Sequence, residues 1–342
     1  MMTRLSIASV LLLFACGSDG GDGGVVFDGG PNDVFDADPF ATESFTATWG
    51  PYDVEPGIED TRCFVTRLTN DRQIRVGEIT NDLGDASHHF IVYRITEGEV
   101  STEPYQCQPF ADTLNPANGA PLMVTQKALE TLTLPEGVAF TLETNQLIRL
   151  ELHYINTTEA TQSVTATSTF KTMAPEDFEF EADFLFVGNP DIDLAPGEVA
   201  TVGPSFLPLP ADLAGAKVFG ITGHTHQYGT DVSVAMGANG SEAMIYDIPS
   251  FNWDEPDTVM LEPAVDVGTD TGFRFSCDFN NTSGQQVGFG EGVDDEMCFF
   301  WAYYYPSKGA RVCIHSEQQP SLGTDLCCPS DNQLCQFLDS FL

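Results

Sequence analysis

The chain has 342 residues, with 51 acidic against 13 basic side chains, nine cysteines and six histidines. A formal charge of −38 argues against nucleic acid and anionic membrane surfaces as partners, because phosphate groups are bound by neutralising them with Lys and Arg. A hydrophobic fraction of 42% with 25 Phe argues against a disordered polymer, and the length suits two domains or one large one. Residues 1–43 hold only seven of the acids, so the acidity belongs to the remainder as well and reads as a solvated surface.

At the N-terminus, Met1–Arg4 is a short basic start and Leu5–Phe14 an apolar run too short to span a membrane as a helix. Leu13-Phe14-Ala15-Cys16 closes it and resembles a bacterial lipobox. That predicts a signal peptide over residues 1–16 with Cys16 lipidated; an ordinary secretory signal with a chance Cys is the alternative. Gly17, where an Asp would favour inner-membrane retention, points to the outer membrane or cell surface of the envelope. No other run approaches about 20 apolar residues, so membrane contact is expected through the lipid anchor only. Residues 17–43 are Gly- and Asp-rich and read as a self-repelling tether.

From Glu43 onward, short runs of Val, Ile, Thr, Phe and Tyr alternate with Gly, Pro, Asn and Asp clusters, the pattern of antiparallel sandwiches. Predicted strands are Glu43–Trp49, His89–Ile95, Leu147–Ile155, Ser163–Phe170, Lys217–Thr222, Asp231–Ala235, Gly272–Phe279 and Cys298–Tyr305. Helical periodicity is best over Pro121–Leu132. The Pro/Asp-rich stretch Met173–Asp183 divides two blocks, giving domains at 44–175 and 176–312 and a Cys-rich segment at 313–342.

Beyond Cys16 the cysteines number eight, and an even count in an exported chain reads first as disulfides. The last four lie close together, and neighbours Cys327 and Cys328 are each expected to pair with Cys313 or Cys335 rather than with each other. A zinc site of Cys313, His315 and Cys327 is the functional alternative.

Five of the six histidines fall in three places: His88-His89, Leu152-His153-Tyr154 and His224-Thr225-His226. On a strand, residues two apart share a face, so His224 and His226 can reach one metal. Neighbours on a regular strand point to opposite faces. His88 and His89 can therefore share an ion only where the backbone is irregular or a strand ends. A fourth element, Asp294-Asp295-Glu296-Met297-Cys298, opens the aromatic run Phe299–Tyr305. A thioether favours Cu(I) while imidazole accepts both copper states, so two imidazoles and one thioether suit a copper that must cycle.

The order His88-His89, His153, His224-x-His226, Met297, with gaps of 64, 71 and 71 residues, resembles the copper type II, ascorbate-dependent monooxygenases, which include the peptidylglycine α-hydroxylating and dopamine β-monooxygenases. The resemblance covers residues 55–312 and leaves out the lipobox and the C-terminal cysteines. It implies two tandem antiparallel jelly-roll β-sandwich domains, each with one copper facing a solvent-filled cleft. His88, His89 and His153 would hold an electron-transfer copper. His224, His226 and Met297 would hold the copper where O2 is activated. Cys63 with Cys107, and Cys277 with Cys298, would be disulfides. The implied reaction is R–H + O2 + two electrons + two protons giving R–OH + H2O, with ascorbate or another reductant as electron donor, a small organic substrate and a monomeric chain.

Two positions depart from the peptide-amidating members, which carry an Arg two residues before the His-x-His pair and a Tyr four residues after the Met. Here these are Thr222 and Trp301. Without a guanidinium fork a C-terminal glycine peptide is not the expected substrate. Trp301, with Tyr303 and Tyr305 on the same strand face, suggests a more apolar pocket or one that stacks on a ring or a cation. The alternative function is a copper-binding or electron-transfer envelope lipoprotein without oxygenase activity.

Overall fold

The computed structural model describes residues 42–342 apart from 85–86, 108, 111–118, 291, 319–324, 330–334 and 336–342. The lipobox Cys16, the signal peptide and nearly all of the tether therefore lie outside the described residues, as does the side chain of His88. Among the described residues the structure is nearly all β, with only short 3-10 turns at Pro175–Asp177 and Ala211–Leu213 among its named helical elements. No helix is long and apolar enough to cross a membrane.

The first half is built from two sheets. One runs in the order Ser44–Val54, Gln162–Thr172, Ile74–Asp82, Val138–Leu142, Phe180–Glu181, with Leu129–Thr133 also paired to Ile74–Asp82. The other runs Tyr105–Gln106, Glu59–Arg67, Leu147–Ile155, Ser87–Ile95, Gly119–Thr125. Alternation along Ser44–Val54 turns Ala47 and Trp49 inward, and the Trp49 indole reaches across to donate to the Arg62 carbonyl at 3.1 Å. The central strand Leu147–Ile155 is buried at all but its last residue, as a strand covered on both faces should be.

The second half repeats the layering. A six-stranded sheet, Val259–Asp266, Lys217–His224, Phe299–Tyr305, Asp183–Gly188, Arg311–His315, Asp325–Cys328, faces a four-stranded one, Val199–Pro208, Thr271–Asn280, Gly229–Ala238, Ala243–Asp247. The aromatic run Phe299–Tyr305 explains how the halves join. Phe300, Ala302 and Tyr304 point into the second sandwich, where Phe300 meets Phe273 and Phe275 edge-on at 5.0 and 5.4 Å. Phe299, Trp301 and Tyr303 point the other way and belong to the apolar cluster of the first half, together with Met297, Phe184 and Phe186. One sheet is thus apolar on both faces, and the two halves form a single compact unit over residues 40–342.

All eight predicted strands are present, most extended by one to three residues. The helix expected over Pro121–Leu132 is not. Gly119–Thr125 pairs with Ser87–Ile95, and Leu129–Thr133 pairs with Ile74–Asp82. Residues 121–126 are buried on every side, whereas a surface helix buries one stripe, so strand pairing prevailed over a weak local period. The disulfides are Cys63–Cys107, Cys277–Cys298, Cys313–Cys327 and Cys328–Cys335. The first two are those the resemblance implied. The third removes the zinc alternative, because Cys313 and Cys327 spend their sulfurs on each other and His315 Nδ1 lies 2.8 Å from Asp325 Oδ1.

Candidate metal centre

His89 and His153 sit on neighbouring strands of the first half as direct cross-strand partners, their ring centroids 4.9 Å apart. Between Ser87 and His89 the register against Leu147–Ile155 shifts by one residue, which makes His88 the extra residue of a β-bulge. The sequence required a backbone irregularity for His88 and His89 to share an ion, and it falls at this position. His153 Nε2 lies 3.0 Å from Glu59 Oε1. A carboxylate accepts from that nitrogen, so the lone pair of His153 resides on Nδ1.

In the second half the Lys217–His224 strand ends at His224, and His226 lies in the turn beyond it. This corrects the expectation that both project from one strand. The turn closes with Gly229 N donating to the His226 carbonyl at 3.0 Å. It is held from inside by Glu296, fully buried, whose Oε2 accepts from His226 N at 2.8 Å and whose Oε1 accepts from Tyr228 N at 2.6 Å. Burial pushes the Glu296 carboxyl up to about 7, against the opposing pull of these backbone donors. The carboxylate thus takes the N–H groups that a strand partner would otherwise have taken.

The two rings still meet, at 5.2 Å between centroids. His226 Nδ1 lies 3.1 Å from the Asp295 carbonyl, and His224 Nδ1 lies 3.0 Å from Gln126 Oε1. Both acceptors leave the lone pair on Nε2. Met297 is 3% exposed, and its backbone N–H and that of His226 both donate to Glu296 Oε2, at 3.2 and 2.8 Å. The disulfide Cys277–Cys298 fixes the residue that follows Met297.

Cleft filling separates the structure from what the resemblance implied. Phe110, 2% exposed, stands between the two histidine sets, 5.1 Å from the His89 ring and 6.2 Å from the His224 ring, and stacks on Phe186 at 6.0 Å. Its backbone N–H donates to Glu151 Oε1 at 2.8 Å, two residues before His153, and its φ of 55° is one that side chains other than Gly rarely adopt. An aromatic side chain, rather than solvent alone, occupies the space across which the two sets face one another.

Thr222 and Trp301 are register partners, both buried, with the Trp301 ring 5.9 Å from His224. The Thr222 hydroxyl bonds that of Thr258 at 2.8 Å, and Thr258 donates to Glu130 Oε1 at 2.6 Å. Burial raises the Glu130 carboxyl above its ordinary value, with the Thr258 hydroxyl and Lys127 working against it. Sequence reasoning did not find Glu59, Phe110, Gln126, Glu130 or Glu296. Only Glu296 carried a signal, its place beside Met297. A further cluster of ligand-type atoms, Cys63, Cys107 and Glu151, has both sulfurs in a disulfide.

Residues 207–324 match the family model described as copper type II ascorbate-dependent monooxygenase, C-terminal domain. That span contains Thr222, His224, His226, Met297 and Trp301. No curated protein matches the chain. Among solved structures it is similar to the major capsid protein P2 of bacteriophage PM2, at 10% identity and a TM-score of 0.37 over 79% of this chain and all of that one. It is also similar to PNGase F, a glycosylasparaginase from Flavobacterium meningosepticum, at 9% identity and a TM-score of 0.34 over 78% and 97% of the two chains. Likeness at this level carries no functional argument.

Proposed function

We propose that the protein is a copper-dependent monooxygenase that hydroxylates an activated C–H bond of a small organic substrate with O2 and an external reductant such as ascorbate. The observation that carries this reading is the state of three histidines: His153, His224 and His226 each have one ring nitrogen facing an acceptor, which presents the other nitrogen's lone pair. Metal-bound histidines are prepared in this way, and the family match covers the set that includes Met297.

The donor chemistry fits copper. His88, His89 and His153 would hold one ion, and His224, His226 and Met297 a second, whose thioether suits the reduced state. Bound there, copper would supply the one-electron steps and the reduction of O2. The chain's own contribution is orientation and exclusion of water. Glu59, Gln126 and the Asp295 carbonyl fix which imidazole nitrogen is a ligand, and Glu296 holds the turn of His226 against Met297. Trp301, 1% exposed, forms an apolar wall beside His224.

Substrate preference follows from charge. Where the peptide-amidating members carry an Arg, Thr222 connects through Thr258 to a carboxylate, Glu130, so neutral or cationic aromatic substrates are favoured over carboxylates. Attachment to the cell envelope through a lipid on Cys16, and action as a monomer, complete the proposal. Loss of palmitate labelling in Cys16→Ala tests the anchor.

The decisive experiment loads the protein with copper, supplies ascorbate with a panel of aromatic amines and acylglycines, and follows product and O2 uptake. Two coppers per chain are expected, falling to one in His224→Ala with His226→Ala. Retention of two in that variant, or O2 uptake unchanged in Met297→Ala, would overturn the assignment.

A further inference from the structure

We infer that Gln126, a residue of the first half, is a positioning residue for the metal set of the second half, acting by fixing the tautomer and plane of His224. The inference rests on reading His224 as a metal ligand.

Gln126 is 5% exposed, and both ends of its amide are engaged. Nε2 donates to the Trp253 carbonyl at 3.3 Å, which identifies the other atom, 3.0 Å from His224 Nδ1, as oxygen. An amide oxygen only accepts, so Nδ1 carries the proton and Nε2 of the same ring carries the lone pair. A rotated amide would set its oxygen against the Trp253 carbonyl oxygen and lose that bond.

The bond crosses from one half to the other, and its neighbours hold it in place. Val124 N donates to the Tyr303 hydroxyl at 3.4 Å, Lys127 pairs with Asp257, and Glu130 accepts from Thr258, which bonds Thr222 two residues before His224. Residues 124–130 therefore grip both strands that border the second set, Lys217–His224 and Phe299–Tyr305, and the 253–258 segment beside them. A ligand two positions along, His226, takes its acceptor from its own half at Asp295. The second set is accordingly completed by a side chain 98 residues away in the other half. A fragment carrying only the residues that match the family model lacks this acceptor.

The test uses the full chain with 15N-labelled histidine, first without metal. In the wild type the His224 ring, identified by its loss in His224→Ala, is expected as the Nδ1–H tautomer. Gln126→Leu should shift it towards a mixture, and Gln126→Glu, which keeps an acceptor oxygen in the same place, should restore Nδ1–H. Copper(II) is then titrated into chains carrying His89→Ala and His153→Ala, so that the second set is read alone. Affinity should fall about 10- to 100-fold in Gln126→Leu and return in Gln126→Glu. An Nε2–H tautomer in the wild type, or a Gln126→Leu chain with wild-type tautomer and affinity, would overturn the inference. Should Gln126→Leu not fold, a Gln126→Glu chain that loses the Nδ1–H tautomer does the same. A wild type with the expected tautomer that binds no copper refutes the functional reading and leaves the Gln126–His224 pairing standing.

Discussion

Phe110 lies 6.2 Å from His224, ring to ring, although the two belong to different halves and only Phe110 shares the first half with His89. The side chain is buried and its backbone is held in a left-handed conformation by the bond from its N–H to Glu151. An unfavourable backbone persists only where the surroundings over-determine it. Here the surroundings are the Cys63–Cys107 disulfide, Phe186 and the two histidines.

Removing that ring should open the space between the histidine sets. Phe110→Ala is expected to cost about 3–5 kcal/mol of stability from lost burial and the cavity left behind. Copper uptake, followed by stopped-flow quenching of tryptophan fluorescence, should become faster. A variant of unchanged stability and loading rate would show that Phe110 does not occupy the route between them.

Met297 has two roles that can be separated. Its side chain packs in the apolar cluster with Phe299 and Trp301, and its sulfur is the proposed ligand. Met297→Leu conserves volume and should cost less than about 1.5 kcal/mol in a thermal melt. Product formation should nevertheless be lost in the copper-loaded variant. Full activity in Met297→Leu would rule out the thioether as a ligand.

Glu296 is the support of the His226 turn. Its two oxygens accept from three backbone donors, those of His226, Tyr228 and Met297. Glu296→Gln replaces one acceptor oxygen by an NH2 that faces backbone donors, which should cost about 1–3 kcal/mol in denaturant unfolding. Copper should be lost first from the second set, read as a fall in stoichiometry towards one. Equal loss from both sets would show a general rather than local effect.

Asp183 gives a pH dependence with a defined sign. Burial holds its carboxyl above the ordinary 3.8, with Ser307 Oγ donating to it at 2.5 Å and pulling the other way. The folded state therefore binds this proton more tightly than the unfolded chain. Its contribution favours folding at low pH and is lost as pH rises from the unfolded carboxylate value through the raised folded one. The difference in unfolding free energy between wild type and Asp183→Asn should shift against the wild type over that interval and level off above it. A difference that does not vary with pH would contradict the raised value.

Much of the molecule was legible in the order of its residues. Alternation of apolar and polar side chains has a period of two on a strand, so the sandwich-forming strands follow from composition along the chain, whereas the burial of Phe299–Tyr305 on both faces emerged only with the packing of the two halves. The spacing of His89, His153, His224 and His226 singled out rings that the fold brings together in pairs, and the short reach of a disulfide excluded a Cys327–Cys328 bond but left open which of the two meets Cys313, which the fold decides in favour of Cys327. What the tertiary structure alone decided is which acceptor meets each imidazole and what stands between the sets. Glu59, Gln126 and Phe110 carry no local pattern, because a hydrogen bond or ring contact across 94, 98 or 114 residues is fixed by how whole sheets pack. The same packing turned residues 121–125 from a helical period into a buried strand and took His226 off the strand of His224, since a fully buried backbone must find its hydrogen-bond partners wherever the neighbouring elements place them.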